Sequence, residues 1–311
     1  MFRLALAASL VSSGAALAEA PHVSTDILPV HSLASRVMAG VGSPDMLVDP
    51  GASPHGYALR PSQAAALQDS DAVIWVSDSL APWLAAPLDT LAADAVRLEL
   101  MDVAGATTHP YRAEAVFEGH DDPDDPDEQG HDEHAHDHSG LDPHGWLDPV
   151  NARVWLSEIA ETLADIDPEN ADTYRANAEA GRAELAALIA DVEARMAPLA
   201  DQPFVVFHDA YQYFETRFGL NSAGAISLGD ASQPSVARVA EILAIMVERG
   251  VVCVFSEPQF NPGLVATVAA GTDARTGVID PIGRGLEPGA AFYPALIEQV
   301  ANAFEACLSG T

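Results

Sequence analysis

The stretch Glu169–Ala197, ENADTYRANAEAGRAELAALIADVEARMA, decides the architecture because it predicts one long helix in the middle of the chain. Its residues Leu185, Leu188, Val192 and Met196 recur at steps of three and four, which is the spacing of one helix face. At 1.5 Å per residue such a helix spans on the order of 45 Å, which is longer than one lobe needs. We interpret it as a rigid connector between two lobes; the alternative is an ordinary surface helix of one domain.

Short β-rich runs alternate with helical patterns on both sides of this helix. The candidate strands are Val23–Ile27, Met46–Val48, Ala72–Val76, Val96–Leu100, Phe204–Phe207, Ser222–Ile226, Val251–Phe255 and Thr276–Ile279. The other candidate helices are Ser32–Met38, Pro61–Gln68, Pro82–Ala92, Ala210–Phe218, Pro234–Arg249, Pro262–Ala270 and Pro294–Leu308. This alternation predicts an α/β protein with two lobes of parallel-type sheets flanked by helices on both faces. We expect an N-terminal lobe at residues 19–166, the connecting helix at 167–200 and a C-terminal lobe at 201–311.

The first 18 residues predict export. Arg3 precedes the apolar run Leu4–Leu10, and Ala16-Leu17-Ala18 supplies the small residues of a cleavage site. We therefore expect a signal peptide that is cut after Ala18. No later stretch approaches the roughly 20 apolar residues of a membrane span.

The mature protein is predicted to be strongly acidic. The formal net charge of the chain is -32, and all 14 of its basic residues are arginine. Such a surface repels phosphate backbones and anionic lipid, so nucleic acid is excluded as a partner and cations are favoured as ligands. The only cysteines, Cys253 and Cys307, are predicted to form a structural disulfide, as a lone pair in an oxidising compartment usually does.

A histidine-rich loop is predicted within residues 117–141, where the sequence reads GHDDPDDPDEQGHDEHAHDHSG. Five of the chain's 11 histidines lie here, at His120, His131, His134, His136 and His138. Neutral imidazole binds Zn²⁺ well, and the surrounding carboxylates raise the local cation concentration. The segment is too polar to form a core, so we expect a mobile loop that binds metal with low affinity. The alternative is an acidic disordered insertion in which the histidines are incidental.

Three further histidines lie in short motifs at predicted turns or strand ends. His55 lies in GASPHGYALRPS, His144 lies in DPHGW, and His208 directly follows the apolar run Phe204–Phe207. Asp280 also follows a predicted strand. Residues just past the carboxyl ends of parallel strands line the ligand crevice of α/β folds, and three imidazoles with a carboxylate or water complete a tetrahedral zinc site. Spacing alone does not select three ligands from 11 histidines, and each of these residues could instead serve packing, capping or a turn.

The segments GASPHGYALRPS, DPHGWLDPVNA, VVFHDAYQYFE, CVFSEPQF and GVIDPIG resemble the periplasmic zinc-binding proteins of ABC transporters, the ZnuA family. The resemblance runs from about His22 to the C-terminus and includes the histidine-rich insertion and the cysteine pair. It implies two lobes bridged by a long helix, with metal bound in the cleft between them. It also implies that His55, His144 and His208 are ligands, with Asp280 in the fourth position or close to it. Manganese-binding relatives have Glu at the position of His208, so a third nitrogen ligand points to zinc.

The implied function is the high-affinity zinc-binding component of an ABC-type importer in the periplasm, a protein that is not an enzyme. It would act as a monomer that delivers Zn²⁺ to a membrane permease, with other periplasmic zinc-carrying proteins as a second class of partner. Two alternatives stay open. Three histidines around an open position could form a zinc hydrolase, for which Glu257 is the one general base we can name. The histidine-rich loop could instead make the protein a periplasmic zinc store or chaperone.

Overall fold

The computed structural model describes residues 20–112, 117, 140–227, 229, 234–260 and 262–310. The expected signal peptide lies outside the described residues, and so do the five loop histidines at positions 120, 131, 134, 136 and 138.

Two parallel sheets form the scaffold. The first contains β1 (Val23–Thr25), β2 (Asp45–Met46), β3 (Ala72–Trp75) and β4 (Val96–Glu99) in the order β2-β1-β3-β4. The second contains β5 (Phe204–His208), β6 (Ser222–Ser227), β7 (Cys253–Ser256) and β8 (Arg275–Val278) in the order β6-β5-β7-β8. The two sheets therefore have the same strand order. In each sheet the strand order reverses beside the first strand, between β1 and β3 and between β5 and β7. At such a switch point, α/β folds bind ligands at the carboxyl ends of the strands.

The helices flank these sheets. They are α1 (Leu28–Val37), α2 (Pro61–Gln68), α3 (Ala85–Leu91), α4 (Pro149–Ile166), α5 (Ala171–Met196), α6 (Gln212–Phe218), α7 (Val236–Glu248), α8 (Pro262–Ala269) and α9 (Phe292–Leu308). The α/β class and the parallel sheets are confirmed. The sequence analysis missed α4, which is 18 residues long and is capped at its start by the Asp148 side chain. Among the described residues no helix is both long enough and apolar enough to cross a membrane.

Both faces of each sheet are buried, as the alternate residues of a single strand show. In β5, Val206 faces the largest apolar core, whereas Val205 and Phe207 face a smaller core beneath α7 and α8. In β3, Ile74 faces the large core, whereas Trp75 faces a second smaller core beneath α2 and α3. The large core is shared by both halves, because α1, α4, α5 and α9 pack between the sheets.

The long helix is present as the 26-residue α5, which extends roughly 39 Å. Near its start the Asn177 side-chain amide donates to the backbone carbonyl oxygens of Val37 and Ala39, just beyond α1. Near its end the Arg195 guanidinium pairs with Glu298 and Glu305 of α9 at 3.1 and 2.8 Å. The helix thus joins the two halves, while the lobe boundaries at residues 166 and 201 stay a prediction.

The disulfide between Cys253 and Cys307 is present and ties β7 to α9, with the Cα atoms 6.0 Å apart.

Candidate metal site

His208 is placed by the central strand of the second sheet. All five residues of β5 are buried, because the strand lies between β6 and β7 with helices on both faces. Such strands read as nearly continuous apolar runs, and FVVFH does so until its last residue. His208 therefore lies at the carboxyl end of the strand, where its imidazole is 4% exposed.

His144 is held by its own motif. The Asp142 carboxylate accepts hydrogen bonds from the His144 backbone N–H at 3.0 Å and from the ring at Nδ1, at 2.7 Å. A carboxylate at Nδ1 favours the tautomer with the proton on that nitrogen, which leaves the lone pair on Nε2. The next residue is Gly145 because a Cβ there would overlap the Met101 side chain. The sequence analysis gave Asp142 no role, although its spacing from His144 was visible.

His55 lies in the turn between β2 and α2, and it is the most exposed of the three histidines. The Trp83 indole N–H donates to the Pro54 carbonyl oxygen at 2.7 Å and fixes this turn from the first half of the chain. The Arg284 guanidinium donates to the Gly51 carbonyl oxygen at 2.8 Å and fixes it from the second half.

These three histidines meet. The ring centroids of His144 and His208 are 4.9 Å apart, and that of His55 lies 5.5 and 6.0 Å from them. One ring nitrogen from each lies within 4.8 Å of the other two. Because Zn–N bonds are about 2.0–2.1 Å long, the nitrogens of a tetrahedral zinc site lie roughly 3.4 Å apart. A separation of at most 4.8 Å is close to this spacing, so small side-chain movements suffice to bring the nitrogens to bonding distance.

Asp280 is buried near these histidines but is not part of the three-residue cluster. Its carboxylate accepts hydrogen bonds from the backbone N–H groups of Ile282 at 3.1 Å and Arg284 at 2.5 Å. The turn that carries Arg284 toward the His55 loop is therefore stabilised by Asp280.

Glu257 directly follows β7, and its carboxylate Oε1 lies 3.8 Å from the ring Nδ1 of His208. Burial raises the pKa of Glu257, and the interaction with His208 offsets part of that increase. Glu257 and Asp142 thus stand at the Nδ1 side of two imidazoles, the position from which carboxylates orient metal-binding histidines.

Five carboxyl groups in this part of the structure are buried, and each is at most 5% exposed. They are Asp142, Asp209, Glu215, Glu257 and Asp280. Burial raises the pKa of Asp142 to about 7, partly opposed by the hydrogen bond from the His144 backbone. Burial also raises the pKa of Asp209 and of Glu215 to about 6, although the Arg112 guanidinium lowers both. A divalent cation would favour their ionised forms, so the site is electrostatically suited to a cation.

Comparison with known proteins agrees with this geometry. A family model described as ZnuA, zinc-uptake complex component A, periplasmic, matches residues 23–307. The high-affinity zinc uptake system protein ZnuA of Paracoccus denitrificans (strain Pd 1222) is 43% identical over 98% of this chain and 97% of the relative. The protein of the same name from Brucella suis biovar 1 (strain 1330) is 41% identical over 95% of this chain and 94% of the relative.

Solved structures share the fold. A crystal structure of a zinc-bound ZnuA deletion mutant aligns with a TM-score of 0.76 at 22% identity, covering 93% of this chain and 98% of that one. The solute-binding protein FpvC of Pseudomonas aeruginosa, in complex with Mn²⁺, also aligns with a TM-score of 0.76, at 20% identity over 94% of this chain and 99% of that one. At these identities the likeness concerns the fold alone.

Proposed function

The chain belongs to the ZnuA family of periplasmic zinc-uptake components, and from this premise we propose that His55, His144 and His208 bind the transported Zn²⁺ ion. As a family member the protein is a periplasmic zinc-binding component of a zinc uptake system and not an enzyme, which removes the hydrolase alternative. Its partners are the permease and ATPase of an ABC transporter.

The single observation that supports this assignment is the convergence of three imidazoles from distant parts of the chain. His55 follows β2, His144 precedes α4, and His208 ends β5, yet one ring nitrogen of each lies within 4.8 Å of the others. Three neutral nitrogen ligands suit Zn²⁺, whereas Mn²⁺ prefers more oxygen ligands. For Asp280 we propose a place close to the fourth position, where it stabilises the turn while water can complete the coordination shell.

The proposal extends to the rest of the chain. We expect export with cleavage after Ala18, a monomer in the periplasm, and exchange of zinc with other periplasmic zinc-carrying proteins. The histidine-rich loop, with His120, His131, His134, His136 and His138, is proposed to collect zinc at low affinity. The polar composition of this segment predicts ligands that lose conformational entropy on binding, so we expect these sites to be weaker than the cleft.

Calorimetric titration with Zn²⁺ tests the assignment. The wild-type protein should show one tight site and several weak ones, and the double variant His144→Ala/His208→Ala should lose the tight site. Deletion of residues 118–140 should remove the weak sites and keep the tight one. Several sites of comparable affinity, lost together in the deletion, would favour a zinc store or chaperone instead.

A further inference from the structure

Gln259 lies in the wall of the metal cleft and has no role in the assignment above. It follows β7 in the turn Glu257-Pro258-Gln259-Phe260, and it lines the same cleft as His55, His144 and His208. Its side-chain Nε2 donates a hydrogen bond to Glu257 Oε2 at 2.5 Å. The orientation of the amide is thereby fixed, because turning it over would place Oε1 against a carboxylate oxygen.

The other end of this amide is unsatisfied. Gln259 Oε1 is buried, and no hydrogen-bond donor reaches it among the residues that the structure describes. A buried acceptor without a partner costs on the order of 1–3 kcal/mol, so such an atom in the wall of a binding cleft suggests a partner that arrives with the ligand.

Asp280 and Glu257 are buried acidic side chains that already make contacts of their own. Both oxygens of Asp280 accept backbone N–H groups of its own turn. Glu257 contacts His208 through Oε1 and accepts from Gln259 through Oε2. The amide oxygen of Gln259 is therefore a neutral acceptor in this wall that has no hydrogen-bond partner among the described residues.

We propose that Gln259 is a positioning residue for the fourth position of the zinc site, where its Oε1 accepts a hydrogen bond from a water molecule bound to the ion. This inference rests on the proposed function. With a water molecule in the fourth position and a neutral amide beside it, the fourth ligand does not compensate the positive charge of the ion. Such a shell suits a carrier that must release its cargo, and it disfavours Mn²⁺, which prefers carboxylate oxygen.

The experiment compares Gln259→Leu with Gln202→Leu, which makes the same substitution outside the cleft. Zinc affinity is measured by chelator competition, and the coordination of the site is followed through the visible spectrum of the Co²⁺-loaded protein. Gln259→Leu should weaken zinc about tenfold, the effect of losing one charge-assisted hydrogen bond, and should alter the Co²⁺ spectrum. Gln202→Leu should change neither. Gln259→Met keeps the side-chain length and replaces the Leu variant if that protein does not fold.

The possible results distinguish the role of Gln259 from the assignment of the histidines as ligands. If His208→Ala abolishes tight binding but Gln259→Leu leaves both affinity and spectrum unchanged, the role of Gln259 is wrong and the histidine assignment stands. A loss of affinity with an unchanged Co²⁺ spectrum also overturns the role, because the side chain then acts away from the fourth position. If His208→Ala keeps tight binding, the proposed site itself is wrong.

Discussion

The indole N–H of Trp146 donates to the carbonyl oxygen of Pro281 at 2.8 Å, and this bond joins the two halves of the chain at the wall of the proposed metal site. Trp146 is 1% exposed and its ring centroid is 5.2 Å from that of His144. Pro281 follows Asp280 and lines the same cleft. One hydrogen bond thus couples the segment of a proposed ligand to the turn that faces it.

Replacing Trp146 by Phe should therefore reduce both stability and zinc affinity. The variant leaves the Pro281 carbonyl oxygen without this donor and creates a small cavity beside His144. Trp155→Phe is the matched control, since Trp155 is fully buried in α4 and its indole N–H has no hydrogen-bond partner among the described residues. Thermal unfolding and chelator competition should show both variants destabilised, but only Trp146→Phe weakened toward zinc. Equal zinc affinity in the two variants would contradict the coupling.

Asp142→Ala should weaken zinc binding by about 10–100-fold, the usual consequence of removing a carboxylate that orients a metal-binding histidine. The His144 ring loses its bond at Nδ1 and with it the preference for a lone pair on Nε2. Asp142→Asn retains an acceptor oxygen and should lose less affinity than the Ala variant. Asp201→Ala, at an exposed position, serves as the control in the same competition assay. Equal losses in Asp142→Asn and Asp142→Ala would argue against an orienting role.

Arg112→Met should destabilise the fold by about 3–5 kcal/mol, because it leaves buried carboxylates without their counter-charge. The Arg112 guanidinium bonds Asp209 at 2.9 Å and Glu215 at 2.5 Å, and it lies 3.9 Å from the centre of the Phe117 ring. Asp209 adjoins His208, so zinc affinity should fall as well.

The control for Arg112→Met is Arg175→Met, which breaks an ion pair with Glu161 on the surface. Such exposed pairs contribute little, so urea unfolding should show a much smaller effect. Similar losses of unfolding free energy in the two variants would show that the buried ion pairs of Arg112 stabilise the fold no more than the exposed pair of Arg175.

Acid should release the zinc ion. The ligands must be neutral to bind, and an unperturbed imidazole takes up a proton near about pH 6.5, so protons and zinc compete for the same nitrogens. Affinity should be nearly constant above about pH 7.5 and should fall steeply between about pH 6.5 and 5, because up to three protons displace one ion. Competition titrations across this range measure the slope. An affinity that is constant between about pH 5 and 8 would contradict an all-histidine ligand set.

Parts of this structure could be predicted because their signals are local. The buried run that ends in His208 and the small-residue motifs around His55 and His144 each mark the end of an element. The missed helix α4 also has a local signal, with Asp148 as its cap, Pro149 in its first turn and apolar residues at helical spacing.

Other features could not be read from the sequence because they depend on tertiary contacts. Arg112 meets Glu215 across more than 100 residues, and no spacing rule predicts that pairing. The sharing of the largest core by both halves depends on the packing of α1 against α9, which are at opposite ends of the described chain. The partner of Gln259 Nε2 likewise becomes apparent only from the shape of its turn.

The stability of the metal-free protein should depend on the ionisation of Asp26. Asp26 directly follows β1, as Asp209 directly follows β5 in the second sheet. Its carboxylate accepts hydrogen bonds from the backbone N–H groups of Ile27 and Val76. Burial raises the pKa of Asp26 from 3.8 to about 7, although these two hydrogen bonds lower it in part. Since the folded pKa is above the unfolded one, the contribution to stability is complete below about pH 4 and is lost as the pH rises through about 7.

Asp26→Asn keeps the side chain neutral at every pH, so its melting temperature relative to wild type should rise between pH 5 and pH 8. A shift of about three pKa units corresponds to a loss on the order of 4 kcal/mol between about pH 4 and 7, of which roughly 3 kcal/mol falls above pH 5. The exposed Asp94→Asn is the control, and its difference from wild type should stay nearly constant over the same range. Thermal unfolding of the three metal-free proteins at several pH values provides the comparison. If the Asp26→Asn difference does not grow with pH, the carboxyl group is already ionised in the fold at pH 5 and its burial is offset by the two backbone hydrogen bonds.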